Sequence, residues 1–314
     1  ARLIYVDKGQ VDEYAAWVKT LSFVEVSDAD LDNDTYESAE KQYLQNNTKQ
    51  AISGFSSYVS KFPNGIHALK ANFYLAQLYF ADNLEANSVK HYEFVVAKPR
   101  NEFTEQALAR LCQVHLKAKN YDSAIPVLKR LETEADFPQN ITYAQSNLMK
   151  SYYEKQDFTN AVVYADKVLK NDKIDDRIKS DAQIIVARSA IKTNDEAKAK
   201  EAYAKLQKIA KGELAAEALY YDAYFKNKEG KFEPSNVVVQ KIAQDYSGYK
   251  YYGAKSLVIM AKNFYGLKDS FQATYILESV IENFKEYTDV IEEAQKELDF
   301  IKGEEAKRNS SITN

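Results

Sequence analysis

The chain has 314 residues, 45% of them hydrophobic and 28% charged, so it can bury a core and does not have the composition of a disordered protein. Its formal net charge of −4 gives no electrostatic argument for binding nucleic acid. The single cysteine, Cys112, excludes an internal disulfide and a cysteine metal cluster. No run of about 18 apolar residues could form a transmembrane segment. The abundance of Ala, Lys, Glu and Leu, with only 9 Gly and 5 Pro, predicts an all-α fold.

A small residue recurs along the chain at a nearly constant spacing. The steps between successive members are 37, 37, 36, 37, 38, 36 and 38 residues. Apolar residues four and seven positions after each member continue the pattern of an amphipathic helix. Apart from the first, atypical member, the position is always Ala or Ser. The members are Tyr14, Ala51, Ser88, Ala124, Ala161, Ala199, Ser235 and Ala273.

A second helix is predicted upstream of each of these positions. Nine residues before the small residue the position is mostly aromatic, and small side chains let two helices approach closely while large ones fill the gaps between them. Each period therefore predicts two antiparallel helices of about 13 to 16 residues. Twelve residues before the small residue lies another position that is mostly small, occupied by Ala39, Ala76, Cys112, Met149, Ala187, Ala223 and Ala261.

This pattern resembles the tetratricopeptide repeat family from about Leu3 to Ile301, although Gly is missing from the small position of the first helix and the terminal Pro is convincing only at Pro63. The resemblance implies a right-handed superhelical solenoid of about seven helix pairs, forming a single domain over 1–302. Because the chain begins inside a repeat, we expect it to be part of a longer repeat protein. The predicted units are a partial repeat at 1–26, repeats at 33–65, 68–100, 104–137, 141–172, 177–210, 213–247 and 250–285, a capping helix at 288–302, and a flexible tail at 303–314.

The sequence contains no convincing catalytic or metal-binding motif. The histidines His67, His91 and His115 have no second ligand at a metal-binding spacing. Cys112 occupies a small-residue position, and no cation flanks it to lower its pKa. Glycine-rich phosphate loops and nucleophile motifs are absent from the sequence. We therefore expect no enzymatic activity, no cofactor and no metal.

Four aspartates alternate with other residues in the segment from Asp28 to Asp34, and alternating oxygen ligands are typical of a calcium loop. However, Asn33 stands where such a loop needs Gly, and Glu40 comes one residue too late to close it. The pattern therefore favours a solvated connector whose last acid caps a helix starting near Thr35. Calcium binding remains the alternative.

In the family that the pattern resembles, the first helices of the pairs line a concave groove that holds partner peptides. The residues that the register exposes there are basic and aromatic, although the chain as a whole is acidic. We therefore expect the partner to be an acidic or extended peptide. The alternative is a solvated face whose tyrosines pack neighbouring repeats. The predicted groove residues are Lys70, Phe73, Gln77, Arg110, Gln113, Lys117, Tyr143, Asn147, Lys150, Tyr153, Arg188, Lys192, Tyr220, Tyr224, Lys255, Lys262 and Tyr265.

The resemblance implies a non-enzymatic scaffold or adaptor that binds another protein. The long period and the Tyr-, Asn- and Lys-rich composition are similar to bacterial cell-envelope members, such as the Tol-Pal coordinator and the barrel-assembly lipoprotein, in a Bacteroidetes style. We therefore expect a periplasmic or outer-membrane-associated protein, with a cytoplasmic location left open. The alternative is a glycan-binding, outer-membrane-associated repeat protein that stacks sugars on Tyr220, Tyr221 and Tyr224. The apolar edge of an interrupted first repeat favours self-association.

Overall fold

A computed structural model describes residues 1–21 and 27–312 of the chain. These residues form seventeen α-helices and no strand, which confirms the all-α prediction. The first eight helices are α1 (Arg2–Asp7), α2 (Val11–Val18), α3 (Asp28–Leu44), α4 (Thr48–Lys61), α5 (Ala68–Ala81), α6 (Glu85–Ala97), α7 (Thr104–Lys117) and α8 (Tyr121–Glu134). The others are α9 (Pro138–Glu154), α10 (Phe158–Leu169), α11 (Asp176–Lys192), α12 (Glu196–Leu206), α13 (Glu213–Lys228), α14 (Phe232–Asp245), α15 (Lys250–Gly266), α16 (Ser270–Asn283) and α17 (Thr288–Ile312).

The chain divides into two compact units, Ala1–Ser151 and Tyr152–Asn314, where the sequence predicted one domain over 1–302. In the first unit, α3 packs on α4, α5 on α6 and α7 on α8, and each pair packs on the next. In the second unit, the pairs α11–α12, α13–α14 and α15–α16 pack in the same way, and α17 packs on both α15 and α16. The division falls inside α9. Among the described residues, no helix contains an apolar stretch that could span a lipid bilayer.

The first full pair starts earlier than predicted. Its helix α3 begins at Asp28, five residues before the predicted start of the repeat at 33–65. The cause is a capping box: the Ser27 hydroxyl accepts a hydrogen bond from the Asp30 N–H, and the Asp30 carboxylate accepts one from the Ser27 N–H. These bonds satisfy amide groups that would otherwise lack partners at the helix start. The last residues of the predicted partial repeat, 22–26, lie outside the described part of the chain.

The last helix is longer than predicted. We expected a capping helix at 288–302 and a flexible tail at 303–314, whereas α17 runs on to Ile312. Glu305 in this extension accepts hydrogen bonds from the Ser270 hydroxyl of α16 and from Arg308 one turn further along. A contact to the preceding helix and an ion pair at i,i+3 both favour continuation of a helix.

The recurring small residue has the same place in every pair. It is the fourth residue of each second helix, from α2 to α16. The residue twelve positions earlier, in the first helix of the pair, is also buried wherever it occurs in the pattern. In the first full pair, a Cβ added to Gly54 of α4 would lie 2.8 Å from the Cβ of Ala39 in α3, which shows how closely the two helices approach. Seven of the eight second-helix positions are 0% exposed, namely Ala51, Ser88, Ala124, Ala161, Ala199, Ser235 and Ala273, and Tyr14 is 9% exposed.

In all eight pairs, the same kind of turn connects the first helix to the second. The residue five positions before the small residue adopts a positive φ, and the amide of the following residue donates to the carbonyl five residues before it. One example is the hydrogen bond of 2.9 Å from the Asn120 N–H to the His115 carbonyl. This is the Schellman arrangement that ends many helices. The positive-φ residues are Gly9, Asn46, Asn83, Lys119, Gln156, Asn194, Gly230 and Lys268.

These turns lead to a stability prediction. Lys119 and Lys268 have φ angles of 54° and 70°, a conformation that costs a residue with a side chain about 1–2 kcal/mol. After allowing for the greater entropy of unfolded Gly, we expect Lys119→Gly and Lys268→Gly each to stabilise the fold by roughly 0.5–1 kcal/mol. Urea denaturation followed by circular dichroism measures the change.

The matched control is Gly230→Ala. Nothing lies within 4 Å of a Cβ added at Gly230, so this substitution tests the backbone conformation alone. It should lower the denaturation midpoint by a similar amount. A lower midpoint for both lysine variants would contradict this account of the turns.

Candidate functional site

Of the histidine and cysteine side chains that the sequence singled out, His91, Cys112 and His115 lie in packed helices, and His67 lies just before α5, where its ring hydrogen-bonds to Asn33 of α3. Burial raises the pKa of the Cys112 thiol to about 12, so the thiol is protonated at neutral pH. His91 donates through Nδ1 to the Asn72 side-chain oxygen at 2.8 Å, and burial lowers the pKa of its imidazole to about 4. Both groups are therefore uncharged at neutral pH. In the described residues, no group of three or more His, Cys, Asp or Glu side chains could hold a metal ion.

The alternating aspartates do not form a loop, so both the calcium-loop pattern and the solvated connector ending near Thr35 are wrong. All four aspartates lie in α3. Asp32 is buried and accepts hydrogen bonds from the Tyr58 hydroxyl at 2.5 Å and from the Ile66 N–H at 3.1 Å. Asp34 is 1% exposed and pairs with Arg2 at 2.5 Å. These two carboxylates connect α3 to α1, to α4 and to the segment before α5.

The predicted groove residues of the first unit lie on its first helices, but they differ in exposure. Phe73 is 3% exposed and its ring stacks on Phe103, with the centroids 4.2 Å apart, so it does not line an accessible surface. The Nζ of Lys117 pairs with Glu85 at 2.8 Å. The exposed members are Lys70, Gln113, Lys117 and Lys150, and the half-buried members are Gln77, Arg110, Tyr143 and Asn147.

The exposed and half-buried side chains on the first helices of the first unit form a surface that we call the first-helix face. Two cavities open on it. The first, the Tyr92 cavity, has a volume of 280 Å³ and is lined by Tyr43, Gln77, Leu78, Phe80, Ala81, Tyr92 and Arg110. The second, the Phe137 cavity, has a volume of 510 Å³ and is lined by Arg100, Asn101, Glu102, Glu105, Gln106, Ala109, Arg110, Gln113, Asp136, Phe137 and Asn140. Arg110 is the one residue that lines both. The structure thus brings the predicted residues Gln77, Arg110 and Gln113 together around these cavities.

Arg110 is held in place by uncharged neighbours. Its guanidinium carbon lies 4.6 Å from the centroid of the Phe80 ring, and its Nη1 donates to the Gln113 side-chain oxygen at 2.8 Å. It makes no ion pair in the part of the chain that the structure describes, whereas Arg100, Arg130 and Arg188 each pair with a carboxylate. Arg110 therefore retains a full charge and several unused N–H donors at the junction of the two cavities.

Tyr92 is the site residue that sequence reasoning missed. It lies four positions after Ser88, where the pattern predicts a core residue, and it is 0% exposed. Burial raises the pKa of its phenol to about 12, so the hydroxyl remains a donor at neutral pH. The feature of the sequence that could have identified Tyr92 is a ring with a hydroxyl group at a position where the pattern predicts a core residue. Tyr203 occupies the same register, but its hydroxyl donates to Glu217.

In the second unit, Arg188 is the cation of a charge network around the buried carboxylate of Glu217. Its Nε and Nη2 donate to both carboxylate oxygens of Glu217, at 2.9 and 2.6 Å. The hydroxyls of Tyr203 and Tyr252 donate to the same carboxylate at 2.9 and 2.8 Å. Burial disfavours the ionised carboxylate, but these hydrogen bonds hold the pKa of Glu217 below its ordinary value. Arg188 therefore ties α11 to α13 and has its carboxylate partner inside the fold.

Other predicted groove residues of the second unit are also engaged. Lys262 pairs with Glu293 at 2.7 Å and with Glu297 at 3.3 Å, so these two carboxylates of α17 are directed at α15 rather than outward. The Nζ of Lys255 lies 5.2 Å from the centroid of the Tyr220 ring, and Tyr220 is itself 6% exposed. Tyr153, Tyr224 and Tyr265 are half-buried, and Lys192 is exposed.

The tyrosines proposed for sugar stacking do not form an exposed row. Tyr220 is buried, and Tyr221 stacks on Tyr203 with the ring centroids 4.1 Å apart. Tyr221 and Tyr224 meet edge to face, with their centroids 6.0 Å apart. These rings contribute mainly to packing within the second unit.

The first helix pair does expose apolar side chains. Leu3 is 76% exposed, Ile4 59% and Trp17 43%. The self-association expected from an apolar edge stays a prediction.

A family model decides how this architecture is classified. Residues 14–142 match the model of a tetratricopeptide repeat-like domain. Over these residues, which are less than half of the chain, the sequence is similar to the tetratricopeptide repeat family. The resemblance seen in the sequence is thereby confirmed, and helix pairs with the same small-residue register continue beyond the matched stretch to α16. Tetratricopeptide repeats present extended surfaces to other proteins, which is the coarse function that this fold supports.

Several solved structures resemble the chain at low identity. A tetratricopeptide repeat protein from Parabacteroides merdae is 12% identical and covers 84% of this chain and 98% of its own, with a TM-score of 0.41. The C-terminal part of a repeat-containing protein from Cytophaga hutchinsonii is 13% identical, covers 93% and 97%, and has a TM-score of 0.39. PilW, a widely conserved type IV pilus biogenesis factor, is 12% identical, covers 83% and 97%, and has a TM-score of 0.33. No curated protein matches the chain. With all these TM-scores below 0.5, the classification depends on the family model and on the helix pairs themselves.

Proposed function

We propose that the chain is a non-enzymatic scaffold that binds an extended, acidic peptide segment of a protein partner on the first-helix face of its first unit. The observation that carries this proposal is Arg110, a guanidinium without a carboxylate partner among the described residues, located where two cavities meet. A peptide carboxylate that reaches Arg110 would gain a charge-assisted hydrogen bond.

The surroundings of Arg110 favour an extended peptide over a compact ligand. The two cavities lie on either side of one side chain, so a chain that follows the face can place successive side chains into both. Lys70, on α5 of the same unit, is exposed and adds a second positive charge. Opposite charges on partner and scaffold speed their encounter and select against basic competitors.

We also propose that this scaffold acts in the assembly or maintenance of a bacterial cell envelope, in the periplasm or at the outer membrane. The support is the period of 36 to 38 residues together with the Tyr-, Asn- and Lys-rich composition, which is similar to that of envelope members of the family. Fractionation of the native cells into cytoplasm, periplasm and membranes is the check. Recovery in the cytoplasmic fraction alone would overturn the location.

Peptide binding can be tested by reversing charges on the first helices and, as a control, on the second helices. Labelled peptides of equal length, acidic or neutral, are titrated with the protein by fluorescence anisotropy. We expect acidic peptides to bind better than neutral ones, and the double variant Lys70→Glu with Arg110→Glu to weaken their binding at least about tenfold, since opposite charges at an interface become like charges.

The matched control is the double variant Lys49→Glu with Lys90→Glu. These lysines are exposed on the second helices α4 and α6, so the variant has the same change in net charge. Its affinity should stay within about twofold of the original, since exposed charges away from a site contribute little. Failure of every acidic peptide to bind, or an equal loss in the control, would contradict the proposed function.

A further inference from the structure

We propose that the Tyr92 cavity is the anchoring subsite of this face and binds the side-chain carboxylate of a glutamate in the partner peptide. The inference rests on the proposed function and deepens it, because it names the chemical group that enters one cavity. It depends on three features of the cavity: an unpaired donor, a polar lining rich in donors and apolar walls.

The first feature is the hydroxyl of Tyr92. It is buried and has no hydrogen-bond partner among the described residues. Tyr58 in α4 is equally buried, but its hydroxyl donates to Asp32 and accepts from the His67 N–H. Buried polar groups are normally satisfied, so an unpaired one inside a cavity indicates that something else supplies the acceptor. Arg110 and Tyr92 line the same cavity.

The second feature is the polarity of the remaining groups. Tyr43 donates its hydroxyl to the Gln77 side-chain oxygen at 3.4 Å, so the amide of Gln77 keeps its N–H donors for a ligand. Arg110 uses one N–H on Gln113 and has only donors left. Tyr92 supplies an O–H donor. Three donors and one positive charge match a single carboxylate and do not match a cation.

The third feature is the apolar wall formed by Leu78, Phe80 and Ala81. Tyr92 is fully buried, whereas Gln77 and Arg110 are partly exposed, so the Tyr92 hydroxyl is the donor furthest from solvent. A group that reaches it must extend from the peptide on an apolar stem. The two methylenes of glutamate provide such a stem, whereas a chain-terminal carboxylate brings its own side chain and backbone. A phosphate carries more charge than one Arg can neutralise.

Entry of the carboxylate requires a small rearrangement, because the Tyr92 hydroxyl has almost no contact with solvent. Gln77 and Arg110 have long, partly exposed side chains that can change rotamer without repacking the core. Rotamer changes of this kind are common when a partner binds. The bound glutamate then accepts from Arg110 and Gln77 and also satisfies the hydroxyl of Tyr92.

The test is Tyr92→Phe, which removes one oxygen. In the free protein this variant should have an unchanged or higher denaturation midpoint, because it deletes an unsatisfied buried group. It should nevertheless bind an amidated acidic peptide about tenfold more weakly, because a hydrogen bond to a carboxylate is lost. A purely structural role for Tyr92 would not separate stability from affinity in this way.

Tyr58→Phe is the matched control. It removes a hydroxyl that has two partners, so it should lower the denaturation midpoint while leaving peptide affinity unchanged. In the amidated peptide, replacing the anchoring glutamate by glutamine should weaken binding to the original protein about tenfold. The same replacement should weaken binding to Tyr92→Phe by a smaller factor, since the contact with the Tyr92 hydroxyl is already absent there and only those with Arg110 and Gln77 are affected.

Two further peptides test whether the Tyr92 cavity binds a chain-terminal carboxylate or a phosphate instead of a glutamate side chain. One has a free C-terminus and no internal acid, and the other has phosphoserine in place of the glutamate. Dependence on Tyr92 for either of these, but not for the glutamate peptide, would overturn the glutamate assignment. If charge reversal at Lys70 and Arg110 weakens binding but Tyr92→Phe does not, the subsite is wrong while the proposed function stands. If no acidic peptide binds, both fail.

Discussion

The close approach of two helices at a pair of small side chains is the constraint on which the rest of this structure depends. In the first full pair, Ala39 and Gly54 leave no room for one additional methyl group. In later pairs the position of Ala39 is occupied by a buried Ala, Cys or Met, and the recurring small position, Ala51 in this pair, by a buried Ala or Ser. The position of Gly54 is occupied mostly by larger residues, such as His91 and Val127. Packing at this distance gains dispersion contacts along both helices, and a larger side chain at the recurring Ala or Ser position would push them apart.

The turn and the start of the second helix share the register of this contact. The left-handed residue always lies five positions before the small residue, and the next residue is the N-cap of the second helix. At Asn120, Asp157, Asp195 and Asp269 the cap side chain accepts a hydrogen bond from the backbone three residues later. The left-handed turn residue, the N-cap and the small residue of the second helix thus lie within nine residues of sequence. Their local preferences all favour the same helix pair, which is typical of a well-specified fold.

This local agreement explains what could be predicted from sequence. Helix pairs, their register and most of their bounds depend on residues close together in the chain, and the periodicity displays them directly. The partners of charged side chains depend instead on contacts between pairs. Arg188 finds Glu217 29 residues away, and Asp34 finds Arg2 32 residues away. The repeat period does not reveal such contacts, so Arg188 was predicted to face a ligand and Asp34 to cap a helix or bind calcium.

The same distinction identifies the candidate site. A cation that already has a carboxylate partner, such as Arg188 or Lys262, stabilises the helices that it joins. Arg110 lies against Phe80 and Gln113, which neutralise none of its charge. It borders two cavities, and one of them is lined by Tyr92, whose buried hydroxyl has no hydrogen-bond partner among the described residues. The residues that the fold leaves unsatisfied, rather than the most basic stretch of sequence, mark the surface that we expect to bind a partner.

The most direct test of the central claim compares one substitution at two alanines of α12. Ala199 is the fourth residue of the helix and 0% exposed, whereas Ala197, two residues earlier, is exposed. The free energy of unfolding should fall by about 1–3 kcal/mol in Ala199→Leu, because the added atoms force the pair apart. It should change by less than about 0.5 kcal/mol in Ala197→Leu. Equal effects at the two positions would contradict the claim that a close crossing at the small residue organises each pair.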